Sequence, residues 1–439
     1  MKSNQKGFNL PSLVAISAGG AVSGVVTTIM LATQATGPSA WMSYCIAVLI
    51  GGILRVLPVI FFAGMFRYKG GNYTLVTASL GELAGGIYAL WWLPMFVSRG
   101  VAASAMGQYL NSLFPQLDAN LAGVLITTLI FIINLFGLNF MVKVQRKLTA
   151  LSALALIVFA IAGMGHLSPN ALAVSSADYY PGGTLGMITA VTLVIQATSA
   201  PSLVCGFSWQ AENPKRNIPL AILISNGIIL LLYGVVAFVC GNIEGAAELF
   251  GKPLTAYASR MFPGILFAIF VFAGPFMTLF VSMNSGMASV SAPVIGAIHN
   301  GWLPKSLGNT NKHGVPWKIY TLMWLICVVP LLLNVSLKTF TAYTVITQRI
   351  SGMLLLISAF TFPNRFQDRW EAAPFHMPKP VYYTLLCVIG VIELATLFLS
   401  VRNVSSAVFY GNLILVAVLA VYAFFRYRNG KTTVHMELE

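Results

Sequence analysis

About a dozen apolar runs, each long enough to cross a lipid bilayer, are the feature that most limits what this chain can become. They lie near 11–34, 40–66, 84–112, 120–141, 148–168, 185–208, 218–242, 262–290, 317–335, 339–362, 380–401 and 405–427. A helix of roughly 20 mainly apolar residues spans about 30 Å of hydrocarbon, so each run fits one crossing. The composition agrees: 57% of the 439 residues are hydrophobic and only 8% are charged. A soluble domain carries about 25% charged residues, because its surface faces water. The expected fold class is an all-α integral membrane protein with about 12 transmembrane helices.

A formal net charge of +14 raises nucleic acid as a partner, but the placement of the charge excludes it. With the first residue inside, alternate connections receive eighteen of the 25 Lys and Arg residues, among them Lys2, Lys6, Arg67, Lys69, Lys143, Arg146, Lys147, Lys215 and Arg216. Four (Lys252, Arg260, Lys338 and Arg402) fall on the other side, and three lie within helices. This is the positive-inside bias, and it places both termini in the cytoplasm of a multi-pass cell-membrane protein. Phosphate binding would instead gather the basic residues on one solvated face. Expected partners are the lipid bilayer and a small-molecule substrate, with a homo-oligomer as an open option. No nucleic acid is expected.

Cys45, Cys205, Cys240, Cys327 and Cys387 sit in apolar stretches at unrelated spacings. They read as core filler rather than as a disulfide framework or a metal motif, and no metal or cofactor is expected. Lys2 and Lys6 precede an apolar run longer than a signal-peptide core, with no small-residue cleavage site, so no cleaved leader is expected. No linker or low-complexity stretch divides the chain, which reads as one transport-type membrane domain.

Two crossings are interrupted at matching places. The first carries Gly19-Gly20, Ser23-Gly24 and Thr27-Thr28, and the sixth carries Thr198-Ser199-Ala200-Pro201-Ser202. Five crossings separate them, so they hold equivalent positions in two successive five-helix units, 8–168 and 185–363, with 380–427 adding two helices. Paired broken helices mark transporters built from inverted repeats, whose freed N–H and C=O groups form a site at the bilayer midplane. Gly and Pro are also common in ordinary membrane helices, and small residues serve close packing.

Several connections carry more specific patterns. Glu212-Asn213-Pro214-Lys215-Arg216-Asn217-Ile218-Pro219 comes after the sixth crossing. Gly70-Gly71-Asn72-Tyr73 with Gly81-Glu82-Leu83-Ala84-Gly85 precedes the third. Asn134-Leu135-Phe136-Gly137 with Val144-Gln145 joins the fourth and fifth. Asn300-Gly301-Trp302-Leu303-Pro304 and Asn311-Lys312-His313-Gly314-Val315-Pro316 come after the eighth. In this order, over nearly the whole chain, they resemble the amino acid–polyamine–organocation superfamily of permeases. The resemblance implies a LeuT-like fold with helices 1–5 and 6–10 as inverted repeats. It also implies alternating-access transport of amino acids or related small carboxylate-bearing metabolites. Substrate would lie between the breaks, at Ser23, Gly24, Gln196, Ala197, Thr198, Ser199 and Ser202, flanked by helices 3, 8 and 10 with Arg99, Gly286 and Arg349.

Departures from the family pattern bear on substrate and coupling. Its usual Gly-Ser-Gly in helix 1 is here Val22-Ser23-Gly24. Gln196 stands where many members place an aromatic gate, and Ala200 where the helix 6 break has glycine. Ser202 replaces the glutamate of some antiporters, and Ser152 the helix 5 lysine of some amino-acid members.

Arg55, Arg99 and Arg349 lie deep in helices 2, 3 and 10. Each charge costs about 2.5 kcal/mol or more at that depth, so each calls for a partner or a watery cavity. Glu393 is the single carboxylate deep in a helix, which is too few for three arginines. Arg99 aligns with a helix 3 position that faces substrate in an antiporter of the superfamily. A guanidinium there repels cations and offers a carboxylate a bidentate partner. A structural role, bonding carbonyls freed at the breaks, stands beside that reading. Arg349 comes after Thr347 and Gln348 in a polar trio that could face the same space.

No carboxylate is seen in the aligned core, and the five histidines sit at or beyond helix ends. Exchange or facilitated movement is therefore favoured over proton coupling. Sodium coupling through Thr27, Ser282 and Ser285 stays open. The chain has no nucleophile–base cluster or metal motif of a membrane enzyme. A non-amino-acid organic anion as substrate, a transport-inactive sensor and a channel-like protein remain the alternatives.

Overall fold

The computed structural model describes residues 7–334, 337–402 and 404–439; within these, the side chains at 98, 112, 138–139, 196, 288–290, 337–347 and 402 lie outside the described set. The described residues are helical almost throughout, with isolated β-bridges as their only extended pairing. Seven helical runs are long and apolar enough to cross a membrane, and Ala119–Leu135, Trp317–Leu332 and Gln348–Phe360 are shorter apolar helices. Outward faces repeat Leu154, Ile157, Ile161 and Val391, Leu394, Phe398, all more than a third exposed, at helical spacing. Water would penalise such faces, whereas lipid suits them.

Helices occupy most of the expected spans, with local differences that have physical causes. The run Leu10–Met65 doubles back at Gly37, whose φ of 56° makes the turn, and Thr28 Oγ1 lies 2.7 Å from Tyr44 Oη on the returning limb. The fourth crossing stops at Leu135 rather than near 141, because Gly137 takes φ 97° and starts a new helix, Leu138–Met164. Lys143, Arg146 and Lys147 therefore ride exposed on the first turns of that helix, not in a loop. The second crossing widens into a π-helical turn at Val48–Leu54, ahead of Pro58, a proline that has no N–H to continue the ladder. Side chains satisfy the carbonyls of this stretch: Thr198 Oγ1 donates to the Ala47 carbonyl at 3.1 Å, and Asn226 Nδ2 to the Gly52 carbonyl at 2.6 Å.

The interior consists of two apolar cores separated by a polar waist. One core holds Leu13, Ile16, Phe62, Phe96, Val204, Ile222 and Met287; the other holds Ala21, Val22, Ala47, Ala103, Ile195, Ile229 and Met283. Helices 1, 2, 3, 6, 7 and 8 each pass from one core to the other, and polar residues gather where they cross. Connections also sort to two ends. Segments 66–71, 206–214, 299–316 and 431–439 meet at a basic end, while Leu167 pairs with Ile243 and Trp41 Nε1 donates to Tyr179 Oη at the other.

Glu393 ties three helices at the waist. Arg55 Nε donates to its Oε1, and Arg349 Nη1 lies 3.9 Å from its Oε2. All three side chains are under 8% exposed. The cluster carries two positive charges against one negative. Removing the acid leaves two unpaired buried cations, whereas removing Arg349 leaves a neutral pair. Glu393→Gln is therefore expected to destabilise the protein by about 3–5 kcal/mol and Arg349→Met by clearly less. Thermal unfolding in detergent checks this, and the reverse order would contradict it.

Candidate functional site

At the first break the backbone barely departs from a helix: Val22 keeps φ −50° and ψ −28° while joining Leu10–Ala21 to Ser23–Thr36. The site is marked instead by the number of helix 1 carbonyls that take side-chain donors from other helices. Tyr233 Oη donates to the Ala21 carbonyl. Ser285 Oγ donates to the Ile16 carbonyl and Ser282 Oγ to the Gly20 carbonyl, both at 2.9 Å. Ser17 Oγ in turn donates to the Pro201 carbonyl at 3.1 Å, joining the two breaks.

The sixth crossing changes form at Ser199. Gly183–Thr198 is α-helical, and Ala200–Gln210 continues as an eleven-residue 3-10 helix, far longer than the few residues usual for that form. Pro201 removes one N–H at its start, and Ser202 Oγ donates to the Ser199 carbonyl at 2.8 Å. Thr198 is fully buried.

Gly24 is required where it stands. A Cβ there would fall on the Tyr233 hydroxyl and 2.7 Å from Ala197 Cβ. The packing of the first crossing on the sixth thus sets Gly24, next to Ser23, against Ala197, and Thr198, Ser199 and Ser202 follow where the helix changes form. The side chain of Gln196 lies outside the described residues.

Arg99 enters from the third crossing, where the 3-10 turn Pro94–Ser98 gives way to the helix Arg99–Leu113. Pro94 is the signal that sequence reading passed over: it interrupts the helix ahead of the arginine and re-aims the segment beyond it. A Cβ on Gly286 would lie 2.7 Å from Arg99 Cζ, so a larger residue there would make the guanidinium shift. Arg99 thus packs against the eighth crossing, one residue along from Ser285, which bonds helix 1. Arg99 is part-buried, its Nε is buried without a hydrogen-bond partner, and it has no ion pair among the described residues.

Arg349 is placed elsewhere, 2% exposed and turned to Glu393. Thr347 lies outside the described side chains. The hydroxyls of Thr27, Ser282 and Ser285 all donate to backbone carbonyls. The five cysteines are free and the five histidines exposed.

A cavity of about 890 Å³ opens at the basic end, lined in part by Arg67, Tyr73, Gly206, Phe207, Ser291 and Ala292. None of the ten sequence-derived site residues lines it. Ser291 lies five residues beyond Gly286, about 7.5 Å along the helix, and Gly206 four beyond Ser202. The cavity therefore reaches to within about two helical turns of the waist.

The bundle thus combines apolar helices of membrane-crossing length, a bonded junction of the first and sixth crossings, and a cavity that opens at one end. The family model for amino acid permeases matches residues 8–421. The chain belongs to the amino acid permease family. Members of that family are transporters rather than enzymes, and this permease is a multi-pass membrane protein. It is 23% identical to the branched-chain amino acid permease BcaP of Lactococcus lactis, over 95% of this chain and 94% of that one. The probable threonine/serine transporter YbxG of Bacillus subtilis is 25% identical, with 80% of each chain covered. The human cystine/glutamate transporter is 24% identical over 60% of this chain and 55% of its own.

Tyr233 and Gly24 are expected to be energetically coupled. Gly24→Ala overpacks the joint by about 1–3 kcal/mol, and the loss is expected to shrink in a Tyr233→Phe background, where the opposing hydroxyl is gone. A double-mutant cycle on thermal stability reads the coupling; additive losses would contradict the packing described.

Proposed function

We propose that this permease carries small amino acids or related metabolites bearing an accessible negative group, which Arg99 holds at the polar waist. The supporting observation is the guanidinium of Arg99, set against Gly286 with no ion pair among the described residues. In low dielectric such a cation attracts a carboxylate strongly and repels cationic substrates. Ser23, Gly24, Ala197, Ser199 and Ser202 would contact the rest of the substrate, with Thr198 behind them and Gln196 beside them. Arg349, engaged with Glu393, would act through its field rather than by contact. The substrates named for the relatives above (branched-chain amino acids, threonine, serine, cystine and glutamate) all carry a carboxylate.

The proposal includes twelve crossings arranged as two inverted five-helix repeats plus two helices, working by alternating access. Support comes from the alternation of connections between the two ends and from the matched places of the two breaks. With the basic end cytoplasmic, as the charge bias indicates, the cavity is the inward vestibule of a cell-membrane protein. Exchange or facilitated movement fits better than proton coupling, because the histidines are exposed and Glu393 is engaged by arginines.

A thermal-shift screen of the purified protein with anionic, neutral and cationic amino acids and simple organic acids tests this reading. Ligand at about 100 times its Kd adds about 2.7 kcal/mol of stability. Stabilisation is expected from anionic or neutral ligands that present a carboxylate. Stabilisation by cationic ligands alone would overturn the role given to Arg99.

A further inference from the structure

The segment 431–439 runs across the basic end, with one isolated antiparallel bridge between Leu438 and Tyr68. Its backbone pairs with 67–69: Arg67 N donates to the Glu439 carbonyl at 3.0 Å, Glu439 N to the Arg67 carbonyl at 2.9 Å, and Lys69 N to the Glu437 carbonyl at 3.3 Å. Charge keeps the same register. Lys69 Nζ lies 2.9 Å from Glu437 Oε1, and Arg67 Nη1 lies 3.6 Å from Glu439 Oε2. Val434 and Leu438 pack against the apolar core.

The other half of the segment is fastened to a different wall. Thr433 N donates to the Asn300 carbonyl at 3.2 Å and His435 N to Asn300 Oδ1 at 3.0 Å. Gly301 takes φ 81° beside Lys431, where an added Cβ would crowd that residue's carbonyl. Asn300 caps the helix Met277–His299. Segment 67–69 is itself tied to the 3-10 limb of the sixth crossing, through Arg67 Nη2 to the Trp209 carbonyl at 2.7 Å and Tyr68 N to Ser208 Oγ at 3.2 Å. The segment thus joins the sixth-crossing side of the 890 Å³ cavity to its eighth-crossing side, and His435 and Glu437 help line the space.

We infer that segment 431–439 is an autoinhibitory strap that holds the two walls of this mouth together and slows passage through it. Widening the mouth separates Arg67 and Lys69 from Asn300, which the strap opposes. Its fastenings are weak: the paired side chains are between 38% and 59% exposed, and exposed ion pairs contribute little and are screened by salt. Such a strap opens readily, as a catch would, and it presents carboxylates to the same cations that an anionic solute leaving the cavity would meet.

The test needs no knowledge of the substrate. Ala292 lines the cavity, and Ala292→Cys in a Cys387→Ala background reports access through labelling by a charged maleimide. Three forms are compared in detergent: strap intact, Glu437→Gln with Glu439→Gln, and deletion of 431–439. Labelling is expected to be slow in the intact form and to accelerate at about 0.5 M salt. In the other two forms it should be roughly two- to tenfold faster at low salt. Equal rates in the intact and charge-neutralised forms at low salt would overturn the proposal. The charge-neutralised form keeps the backbone pairing and decides the matter even if the deletion fails to fold.

Discussion

Three guanidiniums and one carboxylate sit at the waist of this protein, in a medium that solvates neither charge. A cation there costs about 2.5 kcal/mol or more unless partnered. Glu393 accepts a hydrogen bond from Arg55 Nε and approaches Arg349 from its other oxygen. That leaves Arg99 as the cation without an acidic partner among the described residues. The Glu393 cluster thus joins three helices, while Arg99 lies apart from it, against Gly286 of the eighth crossing.

The waist exists because the backbone is kept hydrogen-bonded by side chains from neighbouring helices rather than by regular helix alone. Tyr233, Ser282 and Ser285 donate to helix 1 carbonyls, Ser17 returns a bond to the sixth crossing, and Thr198 and Asn226 serve the widened turn of the second. Buried polar groups must be paired, and apolar packing on either side is dense. A layer of directional bonds between two apolar cores is the place where such a bundle can exchange partners without emptying a core.

Much of this is legible in the sequence, because lipid imposes simple rules. Helix spans come from apolar length, and the basic end from charge placement. The Thr-Ser-Ala-Pro-Ser run marks where the sixth crossing changes to a 3-10 helix, whereas the Gly-Ser run of the first leaves Val22 near helical values. The shortfall of carboxylates is also countable, although which arginine Glu393 takes is not, since Arg55 and Glu393 are far apart in the chain. Other misses have local causes. Gly137 starts a helix that hydropathy alone merges with its charged neighbours. Pro94 re-aims the third crossing within an otherwise ordinary apolar run. The segment 431–439 carries no pattern of its own; its conformation comes from partners at 67–69 and Asn300.

The most direct measurement is the affinity of a carboxylate ligand from the screen for the intact permease and for an Arg99→Gln form of equal thermal stability. If Arg99 holds the anionic group, affinity falls by about 30-fold or more, the loss expected when one partner of a buried charge pair is removed. An unchanged affinity would contradict it.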